Sequence, residues 1–152
     1  QQVVTDLMNN SAVTTGWSTN ANAGDGYIHT CNSLSFFGGN PNFGTGVYAS
    51  KTYTGLSPHY QATLSVQLFF LDSWDNETYY IKADDVTVYQ ETWNYNSAAG
   101  NICSRLAFGD KISTITTSQF PHTALEITLN FTTTLASSGS DASFGFNNIQ
   151  IH

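Results

Sequence analysis

Apolar and polar residues alternate along much of this chain. The clearest example is the run Gln61–Phe70, which has polar residues at Thr63, Ser65 and Gln67. Its apolar residues fall between them, at Ala62, Leu64, Val66, Leu68 and Phe70. Successive side chains of a β-strand point to opposite faces, so the pattern predicts a strand with one buried face. No segment repeats the i, i+3, i+4, i+7 spacing of an amphipathic helix over three turns.

Other runs rich in β-branched and aromatic residues predict further strands. They are Val47–Thr54, Thr78–Ala83, Val86–Glu91, Ile112–Thr117, Leu125–Phe131 and Phe144–Ile151. The pair Asp84-Asp85 separates two of them and suits the tight turn of a hairpin. Gly and Asn concentrate in the predicted loops, at Asn20–Gly26, Gly38–Gly46, Asn94–Asn101 and Ser137–Asp141.

These elements predict an all-β fold in a single domain over residues 1–152. Short strands with such loops are typical of an antiparallel, two-sheet jelly-roll sandwich. The segment Gln1–Met8 is either an edge strand of this domain or an arm that pairs with the sheet edge of another copy.

Composition narrows the classes of partner. Only 10% of the residues are charged, with 4 Lys and Arg against 11 Asp and Glu, and the net charge is −7. So few cations cannot neutralise a phosphate backbone, which excludes nucleic acid as a partner. The densest apolar run, Leu64–Leu71, is much shorter than the roughly 18 residues of a membrane span, which argues against membrane insertion.

The two cysteines, Cys31 and Cys103, are far apart in the sequence and show no zinc-ligand spacing. If they are bonded, the long closed loop stabilises the fold by about 4 kcal/mol; the alternative is two buried free thiols. Three glycosylation triplets, at Asn9, Asn76 and Asn130, and the scarcity of Lys favour a disulfide-bonded, secreted protein. Asn130 falls on the polar side of its strand, where a glycan would not disturb the core.

No catalytic signature is present, and we expect a protein that is not an enzyme. A hydrolase with paired carboxylates is the alternative that only the fold can reveal. His59 and His122 each follow a proline in a loop before a predicted strand. The two rings either converge in the fold or separately hydrogen-bond loop carbonyls.

The segment Leu71–Glu77 concentrates three carboxylates, those of Asp72, Asp75 and Glu77. A hard cation such as Ca²⁺ would relieve their mutual repulsion, because it prefers carboxylate and carbonyl oxygens. The alternative is a solvated turn in which an aspartate caps backbone N–H groups.

Three aromatic residues are candidates for ligand binding. Trp93 and Tyr95 lie beside Asn94 and Asn96, and flat rings next to amides suit a sugar ring. The same two residues would also serve as anchors of a protein–protein contact, or pack under the loop before Cys103. Trp74 is a further candidate, or a lid over the end of the sheet.

The run Leu71-Asp72-Ser73-Trp74-Asp75-Asn76-Glu77 resembles the "IDSWDNE" signature of a β-sandwich domain in secreted and surface proteins of ciliates and other protists. Other pieces follow in the family's order. They are Gly16-Trp17-Ser18, Phe37-Gly38-Gly39 with Gly44 and Gly46, Pro58-His59-Tyr60, Cys103, Pro121-His122-Thr123 and Ser143-Phe144-Gly145-Phe146. The resemblance implies a galactose-binding-like jelly roll in a non-enzymatic extracellular module, sometimes with a structural calcium. Ala142 stands where the family's closing motif has an acid, which weakens the calcium expectation.

We therefore expect an extracellular structural or adhesive module of a cell-surface coat or fibre. Its partners would be copies of itself or other surface proteins. The alternative is a carbohydrate-binding domain that uses Trp93 and Tyr95, with a loop organised by calcium through Asp72, Asp75 and Glu77.

Overall fold

The computed structural model of the protein describes residues 4–8, 15–22, 26–98, 100–103 and 107–152. The strands of this part of the chain are β1 (Val4–Asp6), β2 (Ser18–Thr19), β3 (Ile28–Cys31), β4 (Leu34–Gly38), β5 (Tyr48–Tyr53), β6 (Gln61–Ala62), β7 (Leu64–Asp72), β8 (Asp75–Ala83), β9 (Val86–Asn94), β10 (Lys111–Thr116), β11 (Phe120–Pro121), β12 (Ile127–Thr133) and β13 (Ala142–Ile151). A 3₁₀ turn follows β9 at Tyr95–Ser97. None of the described helical segments is long and apolar enough to cross a membrane.

The strands form two main antiparallel sheets. Sheet I has the order β10-β7-β13-β4-β3, with β1 added to β13. Sheet II has the order β2-β5-β12-β8-β9, and the short ribbon β6–β11 stands apart from both. This arrangement confirms the predicted antiparallel two-sheet sandwich of jelly-roll type.

Aromatic rings from both sheets meet in the core. Phe131 of sheet II stacks on Phe146 of sheet I, with ring centroids 4.0 Å apart. Tyr79 of sheet II packs edge-on against Phe70 of sheet I and donates its hydroxyl to the carbonyl oxygen of Gly145 at 2.8 Å. Burial raises the pKa of the Tyr79 phenol well above its ordinary value. The polar tip of this large apolar residue is thus satisfied inside the core.

The hairpin predicted around Asp84-Asp85 forms between β8 and β9. Both aspartates have positive φ, 48° and 66°, which matches the turn geometry that two-residue hairpin loops prefer. The predicted run Gln61–Phe70 is divided at Thr63, whose backbone N–H and carbonyl both bond His152. The chain thus leaves the ribbon at Ala62 and joins sheet I at Leu64.

The N-terminal segment pairs within its own domain. Val4 lies opposite Ile151 and Asp6 opposite Ile149 of β13. The Asp6 carboxylate also accepts hydrogen bonds from Lys51 Nζ at 2.9 Å and from the Tyr53 hydroxyl at 2.7 Å. In this structure Val4–Asp6 is an edge strand of sheet I, and pairing of the N-terminal segment with another copy stays a prediction.

Cys31 and Cys103 are bonded to each other, which confirms the predicted disulfide. The bridge lies in a second small core on the outer side of sheet I, with Phe36, Phe69 and Leu71. The ring of Phe36 stacks on that of Phe69, with the ring centroids 4.3 Å apart, and it packs against Gly145. A Cβ at Gly145 would lie 2.3 Å from the Phe36 ring, so only glycine fits there.

The alternation predicted for Leu125–Phe131 holds from Ile127 onward. Ile127, Leu129 and Phe131 are buried, whereas Leu125 precedes the strand and is 56% exposed. The expectation that Leu125 faces the core is therefore wrong, because β12 begins two residues later.

Candidate functional site

The three carboxylates of the predicted calcium cluster point to different partners. Asp72 ends β7 and is fully buried, and Asp75 begins β8 and is exposed. The Glu77 carboxylate accepts the Asp75 backbone N–H at 2.5 Å, and Asp75 Oδ1 accepts the Asn94 amide at 3.2 Å. Within the described part of the chain, no group of three or more His, Cys, Asp or Glu residues is placed to hold a metal ion. The carboxylate that caps a backbone N–H group in this segment is Glu77, and calcium binding by the three residues stays a prediction.

A carboxylate outside that cluster organises the neighbouring loop. Asp110 is buried, and its two oxygens accept backbone N–H groups from three residues. The donors are Asp72 at 2.8 Å, Ile102 at 2.9 Å and Cys103 at 2.8 Å. Asp110 thus fixes the disulfide loop to the end of β7. The sequence analysis missed it because its partners are backbone groups, which leave no motif.

The predicted tryptophan platform lies inside the core. Trp74 is fully buried and donates its indole N–H to the Ser143 carbonyl oxygen at 2.9 Å. Trp93 is 7% exposed and packs against Trp74. Tyr95 is half-buried, and its ring packs edge-on against Phe108 with the ring centroids 5.0 Å apart. The expectation that Trp74 and Trp93 present ring faces to a ligand is wrong, because β9 continues to Asn94 and turns Trp93 inward.

The structure brings the two candidate histidines together. His59 Nε2 lies 2.6 Å from His122 Nδ1, and His59 Nδ1 lies 2.6 Å from the Ser57 carbonyl oxygen. His122 Nε2 lies 2.8 Å from Asp84 Oδ2. Both sequence alternatives therefore hold, since the rings converge and one of them also contacts a loop carbonyl. Every ring nitrogen of the pair has a protein partner, so neither ring has a nitrogen free to act on a substrate.

A concave surface lies beside this pair. The cavity has a volume of about 230 Å³ and is lined by Leu56, Ser57, Pro58, His59, Gln61, Ala62, Ile151 and His152. Tyr60 adjoins two of these lining residues in the sequence and is 88% exposed.

The outer face of sheet II carries a continuous set of neutral polar and aromatic side chains, which we call the tyrosine face. It consists of Tyr48, Ser50, Thr52, Thr78, Tyr80, Lys82, Gln90, Thr92, Thr128, Asn130 and Thr132. Their strand neighbours Ala49, Tyr79, Ile81, Leu129 and Phe131 are buried in the core. Because side chains alternate along a strand, the polar set points away from the sandwich.

Strand register places two tyrosines on either side of one threonine. Thr132 of β12 lies opposite Tyr48 on one side and opposite Tyr80 on the other. Neighbouring strands are about 4.8 Å apart, so the two tyrosine backbones are separated by roughly 10 Å. Tyr48 is 39% exposed, and Gln90 extends the row beyond Tyr80. The row is longer than a single sugar ring and has an aromatic ring at two of its positions.

A second row runs parallel to the first. Asn130 lies opposite Ser50 on one side and opposite Lys82 on the other. The Asn130 Oδ1 atom is buried and has no hydrogen-bond partner. Lys82 is the one charged side chain among the residues of the tyrosine face. The face therefore offers hydrogen-bonding groups and little charge.

Hydroxyl pairs hold the face rigid. Thr52 and Thr128 share a hydrogen bond between their hydroxyls at 2.7 Å, and so do Thr78 and Thr92. The Thr132 hydroxyl donates to the Val47 carbonyl oxygen at 3.1 Å. A face built on five paired strands is pre-organised, which lowers the entropic cost of binding.

The sequence analysis identified neither tyrosine as a site residue. Tyr80 occupies an outward position of the predicted strand Thr78–Ala83, so alternation was a usable signal. Its proximity to Tyr48 depends on β12 lying between the two strands, and no local pattern encodes that pairing.

The glycosylation candidates occupy different settings. Asn130 lies in the middle of the tyrosine face, whereas Asn76 is exposed near the start of β8 with φ of 64°. Asn9 lies outside the described residues. The structure leaves modification of all three as a prediction.

Comparison with known proteins gives a result at the level of fold. No family model and no curated protein matches the sequence. Among solved structures, the chain is similar to the CBM36-1 domain of a multidomain xylanase from the hindgut metagenome of Trinervitermes trinervoides. That match has a TM-score of 0.57 and 11% identity, over 99% of this chain and 97% of that one. A family 35 carbohydrate binding module from Clostridium thermocellum matches with a TM-score of 0.50 and 11% identity, over 99% and 98% of the two chains.

The same fold also occurs outside carbohydrate-binding modules. The insecticidal crystal protein Cry2Aa matches with a TM-score of 0.56 and 15% identity, over 98% of this chain and 21% of that one. Identities this low show the fold alone. The neighbours support a galactose-binding-like β-sandwich, and the resemblance to the protist family stays a prediction.

Proposed function

We propose that this chain is a non-catalytic carbohydrate-binding domain whose tyrosine face binds a neutral polysaccharide. The observation that carries the proposal is the row of Tyr48, Thr132 and Tyr80. Sugar rings have apolar C–H faces that stack on aromatic rings, and their hydroxyls need hydrogen-bonding partners. The tyrosine face supplies both kinds of contact on a rigid sheet.

The charge of the face selects the class of glycan. With Lys82 as its only charged side chain, the tyrosine face lacks the cation clusters that acidic polysaccharides require. The unpartnered Asn130 oxygen has a cost of about 1–3 kcal/mol when left unsatisfied. A sugar hydroxyl that draws this amide outward would relieve the cost, which favours a ligand rich in hydroxyls.

The structural neighbours support the same conclusion. The similar Clostridium thermocellum domain is a carbohydrate binding module, and the CBM36-1 domain is part of a xylanase. By contrast, Val4–Asp6 pairs within its own sheet, so the arm that would join copies into a coat or fibre has no structural support. Glycan binding is therefore the better account of the exposed tyrosines.

We propose an extracellular location for this domain. The Cys31–Cys103 bond persists in oxidising compartments and is rare in the cytosol. Polysaccharides of cell walls and surfaces are found in the same compartments as such disulfide-bonded domains.

The proposal conflicts with one sequence prediction. A glycan attached to Asn130 would cover the tyrosine face, so Asn130 has to be unmodified in the binding-competent protein. Asn76 is exposed and is not one of the residues of the tyrosine face, and it remains a candidate for modification. Peptide mapping by mass spectrometry of the secreted protein would distinguish the two positions.

The test is a binding survey against neutral and acidic polysaccharides, followed by calorimetry on the best ligand. We expect binding to a neutral polysaccharide, and a loss of at least about tenfold in affinity in Tyr80→Ala or Tyr48→Ala, which corresponds to 1.4 kcal/mol. Tyr60→Ala is the matched control, because Tyr60 is 88% exposed and lies outside the tyrosine face. Equal affinity in wild type and both face variants would contradict the proposal.

A further inference from the structure

His59, His122 and Asp84 join three parts of the fold that are separate in sequence. His59 precedes β6, His122 follows β11, and Asp84 lies in the turn between β8 and β9. The two imidazole planes are inclined by 8°, with centroids 4.9 Å apart. Since the facing nitrogens are 2.6 Å apart, the rings meet edge to edge in one plane. The contact is therefore an N–H···N hydrogen bond and not a face-to-face stack.

Counting the protons of these contacts gives a definite result. The Ser57 carbonyl can only accept, so His59 Nδ1 carries a proton. An ionised Asp84 can only accept, so His122 Nε2 carries a second proton. The contact between the rings needs a third proton on one of its two nitrogens. Two neutral imidazoles supply one proton each, so the three bonds need one proton more than a neutral pair holds.

The total does not depend on where the third proton lies. It can reside on either ring, which makes the pair a single imidazolium cation facing the Asp84 carboxylate. If Asp84 were protonated instead, it would donate to His122 and the three groups together would still hold the same number of protons.

We propose that His59, His122 and Asp84 form a proton-dependent clasp that ties the ribbon β6–β11 to the β8–β9 turn. The clasp is closed when the two rings carry one positive charge between them. When that proton leaves, one of the three contacts becomes two acceptors facing each other and must break.

The surroundings favour an intact clasp over a hydrated one. The His122 side chain is 7% exposed and that of Asp84 is 45% exposed, so the ring is shielded from water and the carboxylate is not. Asp84 is held in place from the other side, because its Oδ1 accepts the Thr128 backbone N–H at 2.8 Å and its own N–H bonds the Thr128 carbonyl. The aspartate therefore stays in position whether or not the rings are charged.

Other charged groups near the clasp lie on each adjoining element. Asp85 follows Asp84 in the turn, and Lys82 is the last outward-facing residue of the tyrosine face on β8. Glu126 is exposed and immediately precedes β12. His152 lines the cavity that His59 also lines. Asp85 and Glu126 are exposed and screened by solvent, so Asp84 is the carboxylate that balances the imidazolium.

Opening the clasp would loosen the ribbon. On one side of the pair lies the 230 Å³ cavity, and on the other lies a smaller cavity of about 150 Å³ lined by Ala83, Asp84, Val86, Val88, Phe120, Pro121 and His122. The ribbon itself has only the pairs Phe120–Ala62 and Pro121–Gln61. Few backbone pairs hold the ribbon together, and the clasp adds a side-chain contact between the ribbon and the β8–β9 turn of sheet II.

The first test uses the wild-type protein and ¹⁵N-labelled histidine in NMR. Near pH 6 we expect His59 and His122 to show three N–H groups between them, with a strongly downfield-shifted proton in the ring–ring bond. Raising the pH from there until the pair loses one proton should remove the ring–ring signal in the same step. Two neutral rings throughout this range would overturn the proposal.

The second test follows the melting temperature at about pH 7 and about pH 8. The closed clasp holds one proton on its two rings, and the stabilisation that it provides is lost as the pH rises and this proton leaves. Between these values we expect wild type to lose roughly 3 °C more than His122→Gln. His29→Gln is the control, since His29 instead contacts the Gly38 carbonyl, and it should follow wild type.

Two results would overturn the clasp in this test. One is the same pH dependence in wild type and His122→Gln. The other is a rise in melting temperature on addition of Zn²⁺ at pH 8 that His122→Gln abolishes, because that would make the cluster a metal site instead.

Discussion

The outer faces of the two sheets differ in residue type and in how far they are covered. On sheet I, Phe36, Phe69 and Leu71 are aromatic or aliphatic, and the disulfide-linked segments bury them in a second core. On sheet II, Tyr48 and Tyr80 occupy comparable outward positions, where Tyr48 is exposed and Tyr80 is half-buried. The apolar side chains on the outer side of sheet I are covered, whereas the two tyrosines of sheet II stay at the surface.

The difference is visible in the strand sequences. In β7 the side chains that point away from the main core are polar at first, at Ser65 and Gln67, and then apolar, at Phe69 and Leu71. The second half of the strand is therefore buried on both faces. In β8 the outward residues Thr78, Tyr80 and Lys82 remain polar or amphipathic to the end. A strand that loses its alternation indicates a covered face.

The largest expected effect is on the stability of the covered face. Phe69→Ala removes a fully buried ring that stacks on Phe36, and we expect a loss of about 3–5 kcal/mol in the free energy of unfolding. Urea denaturation measures this loss. Tyr80→Ala in the same assay should change stability by less than about 1 kcal/mol, and equal losses in the two variants would remove the distinction between the faces.

A smaller loss is expected at the carboxylate that holds the disulfide loop. Asp110→Asn leaves one acceptor oxygen where two now bind the N–H groups of Asp72, Ile102 and Cys103. We expect a loss of about 1.5–3 kcal/mol, measured by denaturant unfolding with the disulfide intact. Asp141→Asn, in the loop before β13, is the comparison variant, and a loss as large there would show that Asp110 has no special role.

The smallest effect is the loss of stability at high pH that arises from three tyrosines outside the tyrosine face. Burial raises the pKa of Tyr53 and Tyr79, and burial with a hydrogen bond to Glu91 raises that of Tyr89. These phenols keep their protons where the unfolded chain releases them, so stability is unaffected below about pH 10 and falls as the pH rises beyond it. In an absorbance titration, these three of the eight tyrosines should ionise only on unfolding. Ionisation of all eight in the folded protein at the ordinary pH would contradict the burial argument.

Local patterns were sufficient to predict most of the strands. Alternation located β7 and β12, and Asp84-Asp85 located the hairpin, because both signals depend on neighbouring residues. The short strand β4 was not predicted, because Leu34–Gly38 runs into a glycine-rich loop and its adjacent Phe36 and Phe37 break the alternation.

The site was less accessible to sequence reasoning. Trp93 was assigned to a surface loop because aromatic residues next to Asn94 resemble a binding loop, but the hairpin extends far enough to bury it. Tyr48 and Tyr80 become neighbours only through Thr132, which lies far from both along the chain. Long-range register of this kind is set by packing of the whole sandwich and leaves no local signature.

The most direct test of the account is an NMR titration of the ¹⁵N-labelled protein with the neutral polysaccharide that binds best. The account predicts that the largest chemical-shift changes fall on the strands of the tyrosine face, centred on Tyr48, Tyr80 and Thr132. Changes centred instead on the cavity around His59 and Gln61, with the tyrosine face unaffected, would contradict it.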